Sequence, residues 1–179
     1  VVENLKLKGF LVDADIDELE QVLDENERAI AEDDTLYLVV QASPNCSMGC
    51  GYCGQAHTSG ALANEVADSI VTEIDRKLRS SGGRYRRLQV GWFGGEPLMG
   101  LRRIRQLTAE LLRVAEAHGV AYEDKIPTNG VALTEAVGRI LTDELRITRI
   151  EVTLDGLGEV HDRRRPLKGG SPSFEVVYR

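Results

Sequence analysis

The sequence has 179 residues, 42% hydrophobic and 28% charged, which suits about one ordinary globular domain with a real core and no low-complexity tract. Its formal net charge of −7 argues against non-specific nucleic-acid binding, which needs a basic surface. No apolar run approaches the ~20 residues that span a bilayer and no stretch reads as a signal peptide, so neither a membrane partner nor export is expected.

Residues 1–34 form an acidic preamble. Leu5, Leu7 and the apolar run 9–12 read as an extended segment, with Asp13 or Asp15 capping a helix over about 16–31. Leu19, Val22, Leu23, Ala29 and Ile30 mark the apolar side of that helix. From residue 35 to 179 the pattern becomes regular and defines the main domain. A short β-branched strand over 35–40 is followed by three cysteines. A helix over 61–80 carries Leu62, Val66, Ile70, Ile74 and Leu78 at every fourth position and stops at Gly82-Gly83. A second strand, 87–93, leads into Gly94-Gly95-Glu96-Pro97. A second helix over 100–118, with Gly119 as its stop, precedes a third strand over 120–127 that ends in Thr128-Asn129-Gly130. A third helix, 133–145, precedes a fourth strand, 147–154, and the turn at Asp155-Gly156. The clusters Arg84, Arg86, Arg87 and Arg163, Arg164, Arg165 read as solvated, and His161 and Asp162 as loop residues. Residues 173–179 read as a helix just beginning. With no initiator Met before Val1, the chain reads as a piece of a longer protein.

The order βαβαβαβ predicts an α/β fold of parallel strands joined by right-handed crossovers, as in a barrel or a doubly wound sheet. Each unusual motif follows a strand directly. The C-terminal ends of parallel strands face one way, so the four motifs are expected to converge on one mouth.

Cys46, Cys50 and Cys53 are all the cysteines of the chain, spaced x3 then x2. An odd count of close neighbours makes a poor disulfide framework, and free thiols suit a reducing, cytoplasmic compartment. The loop suits a [4Fe–4S] cubane, with one thiolate for each of three irons and the fourth iron open. Gly49 and Gly51 are expected to let the backbone approach the cluster and donate N–H bonds to sulfur. Two other readings stay open. Zinc takes four ligands, and only His57 is near enough to complete the set, His118 and His161 being distant. A redox Cys-x2-Cys pair leaves Cys46 unexplained. The Gly94–Pro97 segment makes a tight strand-to-helix turn, yet it also puts the Glu96 carboxylate at the mouth, within reach of a ligand ammonium. Asn129-Gly130 is ordinary turn chemistry. On the fourth strand Glu151, Thr153 and Asp155 share one face, read as an inward polar pocket.

Taken in order, these residues resemble the radical S-adenosylmethionine (radical SAM) enzymes. Cys46-x3-Cys50-x2-Cys53, with Tyr52 before the last cysteine, is similar to their cluster signature. Gly94-Gly95-Glu96-Pro97 is similar to their segment for the methionyl amino group. Thr153-Leu-Asp-Gly156 followed by His161-Asp-x2-Arg165 resembles a stretch of the peptide- and protein-modifying branch, which typically carries a C-terminal SPASM or twitch extension. The resemblance covers about 35–179. It implies the N-terminal part of a TIM-type (β/α) barrel, about four β/α units of an expected six. It also implies a [4Fe–4S] cluster and S-adenosyl-L-methionine as cofactors, with reductive cleavage to a 5′-deoxyadenosyl radical that abstracts hydrogen from a substrate.

By the same resemblance, Cys46, Cys50 and Cys53 hold the cluster. Glu96, with the backbone of Gly94 and Gly95, holds the amino group, and the Tyr52 backbone lies beside the adenine. Thr153 touches the ribose or methionine portion, Arg165 neutralises the carboxylate, and Asn129 contributes to the same cofactor site. The implied partners are a peptide or protein substrate, such as a precursor peptide, and an electron donor such as flavodoxin or ferredoxin. No catalytic acid or base is assigned. No cysteine follows Cys53, so auxiliary clusters are not encoded in these residues. The competing expectation is a truncated, non-catalytic module that binds a cluster or zinc.

Overall fold

Four strands, Thr35–Ser43 (β1), Arg87–Gly94 (β2), Ala121–Thr128 (β3) and Arg149–Val152 (β4), pair side by side in the order β1-β2-β3-β4, every pair parallel. This is a computed structural model describing residues 1–179, and it divides into two compact units, Val1–Asp33 and Asp34–Arg179. Alternation along the strands sorts the sheet's two faces. Leu36 and Val40, then Leu88, Val90 and Trp92, then Ile126 point to one face and are buried. Helices Asn64–Ser80 (α3) and Leu101–His118 (α4) cover that face with Ala67, Ile74 and Leu78 and with Ile104, Leu107, Leu111 and Ala115. Each large side chain buried there contributes roughly 1.5–3 kcal/mol. The opposite face carries Tyr37, Val39 and Phe93, all substantially exposed, and the Lys125 ammonium lies 5.4 Å from the centre of the Tyr37 ring. Four parallel strands with helices on one face form a partial (β/α) barrel.

One buried carboxylate ties the sheet beneath α4. Asp124 on β3 accepts from Trp92 Nε1 at 3.3 Å and Tyr122 OH at 3.4 Å, and its other oxygen accepts from the Thr148 N–H at 3.1 Å. Burial pushes its pKa up to about 6 against the pull of those donors.

Several elements differ from expectation. Residues 5–12 are not extended: Val2–Leu7 (α1) is a helix, closed by Leu5 N–H on Val1 O and Lys8 N–H on Asn4 O. A lone extended segment leaves its amides unpaired, whereas a helical turn pairs them locally. The cap of the next helix, Glu18–Glu32 (α2), is Asp17 rather than Asp13 or Asp15, because Asp17 stands three residues before the Glu20 N–H that it accepts at 3.0 Å. Asp13 instead pairs with Lys6. The third helix of the domain is split into Glu135–Arg139 (α5), capped by the Thr134 hydroxyl, and a π turn over Ile140–Glu144. His161 and Asp162 are not in a loop. They belong to Glu159–Arg164 (α6), where the His161 side chain is fully buried and its Nδ1 accepts from the Asp155 N–H at 3.2 Å. Phe174–Val177 (α7) is one further helical turn.

Candidate functional site

Parallel register brings the four strand ends to one edge of the sheet, and the glycine pair after β2 lets two of the loops touch. Gly94 has φ +144°, and a Cβ there would stand 2.1 Å from the Ser43 carbonyl oxygen. At Gly95 it would stand 2.6 Å from Asn45 O and 2.8 Å from His57 Nδ1. With no side chains in the way, Gly95 N–H donates to Ser43 O at 3.0 Å and Glu96 N–H to Asn45 O at 2.7 Å, which seats this turn against the start of the cysteine loop.

Glu96 is buried, at 1% exposure. Its Oε1 accepts from Leu98 N–H at 3.0 Å and Thr128 Oγ1 at 2.6 Å, and its Oε2 accepts from Asn129 N–H at 2.7 Å. The carboxylate therefore joins the end of β2 to the end of β3 while retaining spare acceptor capacity. Asn129 is also buried. Its Oδ1 accepts from Val131 N–H at 3.0 Å, and its Nδ2 faces Ser47 Oγ at 3.1 Å and Cys46 Sγ at 3.6 Å. Cys46 is buried and takes a second donor, Met48 N–H, at 3.4 Å. Cys53 is exposed, with Sγ 3.6 Å from His57 Nε2. Burial pushes the Cys50 thiol up, the Arg165 charge opposes this, and the neighbouring thiols and Asp155 add to the rise. No three Cys, His, Asp or Glu side chains are grouped to hold one metal ion.

The back of the cysteine loop is strapped by the segment that follows α6. Met48 bridges Leu167 in antiparallel fashion, Lys168 N–H donates to Ser47 O at 2.8 Å, and Gly49 and Gly51 N–H donate to Pro166 O at 2.8 Å and Arg164 O at 3.2 Å. This corrects the expectation that the two glycine amides face sulfur, since one is taken by a carbonyl of the strap and the other by the last carbonyl of α6. Asp162 Oδ1 anchors the strap's far side by accepting from Ser173 N–H at 2.6 Å and Phe174 N–H at 2.7 Å, bonds that hold its carboxyl below the usual range. Arg163 and Arg164 are exposed, but Arg165 is not the solvated residue expected. It donates to Tyr52 OH at 2.9 Å and pairs with Asp155 at 3.5 Å, its side chain only 11% exposed. The expected polar face of β4 is partly solvated: Glu151 is exposed and 3.7 Å from Arg149, while Thr153 turns to the mouth.

One cleft of about 410 Å³ is lined by Cys46, Cys50, Tyr52, Cys53, Gly94, Gly95, Glu96, Asn129, Thr153 and Arg165, the ten residues that the resemblance assigns to the cluster and cofactor, but not by Gly49, Gly51 or Glu151. Thr128, Met48 and Phe93 share the wall without having been singled out. The signal for Thr128 was its place beside Asn129 at a strand end. Asp155 was read as a turn residue on the polar face of the fourth strand, with no partner assigned to it, and its pairing with Arg165 was not foreseen.

A family model for the Radical SAM superfamily matches residues 40–179, and the chain belongs to that superfamily. Its curated relatives include the serine-type anaerobic sulfatase-maturating enzymes of Klebsiella aerogenes and Bacteroides thetaiotaomicron. The first is 27% identical over 144 residues, covering 79% of this chain and 35% of the relative. The second is 27% identical over 148 residues, covering 79% and 34%. The chain spans about a third of the length of the sulfatase-maturating relatives it matches. The solved structure of native anSMEcpe with bound AdoMet and Cp18Cys peptide shares the fold, with a TM-score of 0.65 and 24% identity over 81% of this chain and 38% of that one.

Proposed function

We propose that this chain carries the cluster and S-adenosylmethionine site of a radical SAM enzyme that modifies a peptide or protein. The observation that carries the reading is the single cleft lined by the three thiols together with residues from the other three strand ends. The residues fit the two cofactors. A cubane offers each thiolate its own iron, so its ligands need not converge on one point as zinc ligands do. Two buried nitrogens of the cleft wall, Arg165 Nε and His57 Nδ1, have no hydrogen-bond partner within the protein, and a polar guest at the mouth would supply one.

When bound, the cluster and S-adenosylmethionine supply one-electron cleavage of the S–C5′ bond and a carbon radical that removes a hydrogen atom from the substrate. The chain's own part is placement. Cys46, Cys50 and Cys53 hold the cluster. Glu96 has an acceptor position left after its three protein bonds and, with the Gly94 and Gly95 backbone, would hold the amino group. Arg165, held in place by Asp155 and Tyr52, would pair with the carboxylate, a match for a guanidinium fork. Thr153 and the Tyr52 backbone receive the nucleoside. A peptide substrate is supported by the sulfatase-maturating relatives and by the peptide bound to anSMEcpe. An electron donor such as flavodoxin or ferredoxin has access beside the exposed Cys53 and Tyr52.

Anaerobic reconstitution with iron and sulfide tests this reading. The expected result is a [4Fe–4S]⁺ EPR signal after dithionite reduction that changes on adding S-adenosylmethionine and is lost in the Cys46→Ala, Cys50→Ala, Cys53→Ala variant. Recovery of zinc or of iron-free thiols under the same conditions would overturn it. Release of 5′-deoxyadenosine would exclude the non-catalytic module.

A further inference from the structure

We infer that Asn129 sets the reduction potential of the cluster by donating a hydrogen bond to the sulfur of Cys46, a role beyond cofactor contact that rests on the function proposed above. The side-chain amide has only one orientation that satisfies its surroundings. Val131 N–H donates to Oδ1 at 3.0 Å, so Nδ2 is the atom aimed at Ser47 Oγ, 3.1 Å away, and at Cys46 Sγ, 3.6 Å away. The backbone beneath it is fixed by Glu96 Oε2 on the Asn129 N–H at 2.7 Å. Asn129 is 5% exposed and Cys46 7%, so little water competes for the sulfur.

Two donors to sulfur meet at Cys46. Cys46 receives Met48 N–H and Asn129 Nδ2, and Cys53 sits exposed beside His57. The amides of Gly49 and Gly51, which a cysteine loop would otherwise offer to the cluster, donate to Pro166 and Arg164. A donor brought from the end of β3 stands where the loop's own glycine amides are unavailable. Hydrogen bonds to a ligating sulfur withdraw electron density and favour the more negative, reduced cluster, so they raise its potential.

The test is an EPR-monitored potentiometric titration of the anaerobically reconstituted protein, without S-adenosylmethionine or substrate. Asn129→Leu removes the donor and adds no charge. Asn129→Asp removes it, places an anionic oxygen by the sulfur and keeps an acceptor for Val131 N–H. Both are expected to lower the potential, Asn129→Leu by about three- to tenfold in the reduction equilibrium and Asn129→Asp by more; tenfold is about 59 mV for one electron. Thr128→Val weakens the same turn by removing the hydroxyl that serves Glu96 and Gly130 N–H, but it touches no sulfur. It is expected to lower stability and leave the potential in place. An unchanged potential in Asn129→Leu, or an equal shift in Thr128→Val, would overturn the inference. If Asn129→Leu fails to fold, an unchanged potential in Asn129→Asp overturns it in the same way. Absence of any [4Fe–4S]⁺ signal from the unaltered protein would overturn the proposed function instead, so the two failures are distinct.

Discussion

Removing the Glu96 carboxylate is expected to destabilise the protein before any cofactor is bound. Three donors converge on this one buried group: Leu98 N–H, Thr128 Oγ1 and Asn129 N–H. In Glu96→Ala the threonine hydroxyl can rotate to another acceptor, but two backbone amides lose theirs. At about 1–3 kcal/mol for each unsatisfied buried donor, the cost is about 2–6 kcal/mol. Water entering from the adjoining cleft moves the value toward the lower end. Glu96→Gln keeps the shape and one acceptor oxygen. Its amide nitrogen must then oppose one of the donors, which costs about 1–3 kcal/mol. Against a typical domain stability of about 5–15 kcal/mol both losses are large, and at ~2–4 °C per kcal/mol for a domain of this size they are visible in a melt. Urea denaturation of the metal-free protein, followed by far-UV circular dichroism, reads both variants. A residue that served only a ligand's amino group would leave the cofactor-free midpoint where it was. An unchanged midpoint in Glu96→Gln, with the same m-value, would refute the assignment of Glu96 as the clasp between β2 and β3.

Gly94→Ala is expected to cost about 3 kcal/mol or more, because it combines a left-handed φ with a Cβ driven into the Ser43 carbonyl; soluble yield and melting temperature check it. Asp162→Ala unhooks the strap from Ser173 and Phe174, and hydrogen–deuterium exchange at the Gly49 and Gly51 amides should accelerate while exchange in the β2 core stays slow. Asp124 gives a pH dependence of definite sign. Its pKa is raised in the folded state to about 6 from the ordinary 3.8, so the folded form binds more protons than the unfolded one between those values. Stability from this group is therefore full below about pH 4 and is lost as pH rises through about 6. Asp124→Asn, which cannot ionise, should flatten that segment of a stability-against-pH curve measured on the metal-free protein.

Much of this site could be read from the chain in order. Strand and helix periods are local properties, and the rule that parallel strands end on one side turned four separated motifs into one mouth. That is why all ten expected residues line a single cleft. Element ends were less legible. The extended reading of residues 5–12 failed because alternation of Leu5 and Leu7 says nothing about whether a neighbouring strand exists to pair with. His161 and Asp162 were misjudged because a polar pair in a short helix looks like a loop until a buried seat for the imidazole is known.

The sequence by itself therefore determined the α/β order and the edge of the sheet at which the three cysteines and the other motifs collect. Only the tertiary structure decided which donor meets which acceptor. Asn129 and Cys46 lie 83 positions apart, Glu96 and Asn129 33, and Arg165 and Tyr52 113. Spacing along the chain carries no information about such pairs, because hydrogen bonds are made at about 3 Å and their partners are fixed only when the strands have been stacked in register. Only in the packed chain do the glycine amides of the cysteine loop meet the carbonyls of Pro166 and Arg164, and the amide of Asn129 the sulfur of Cys46.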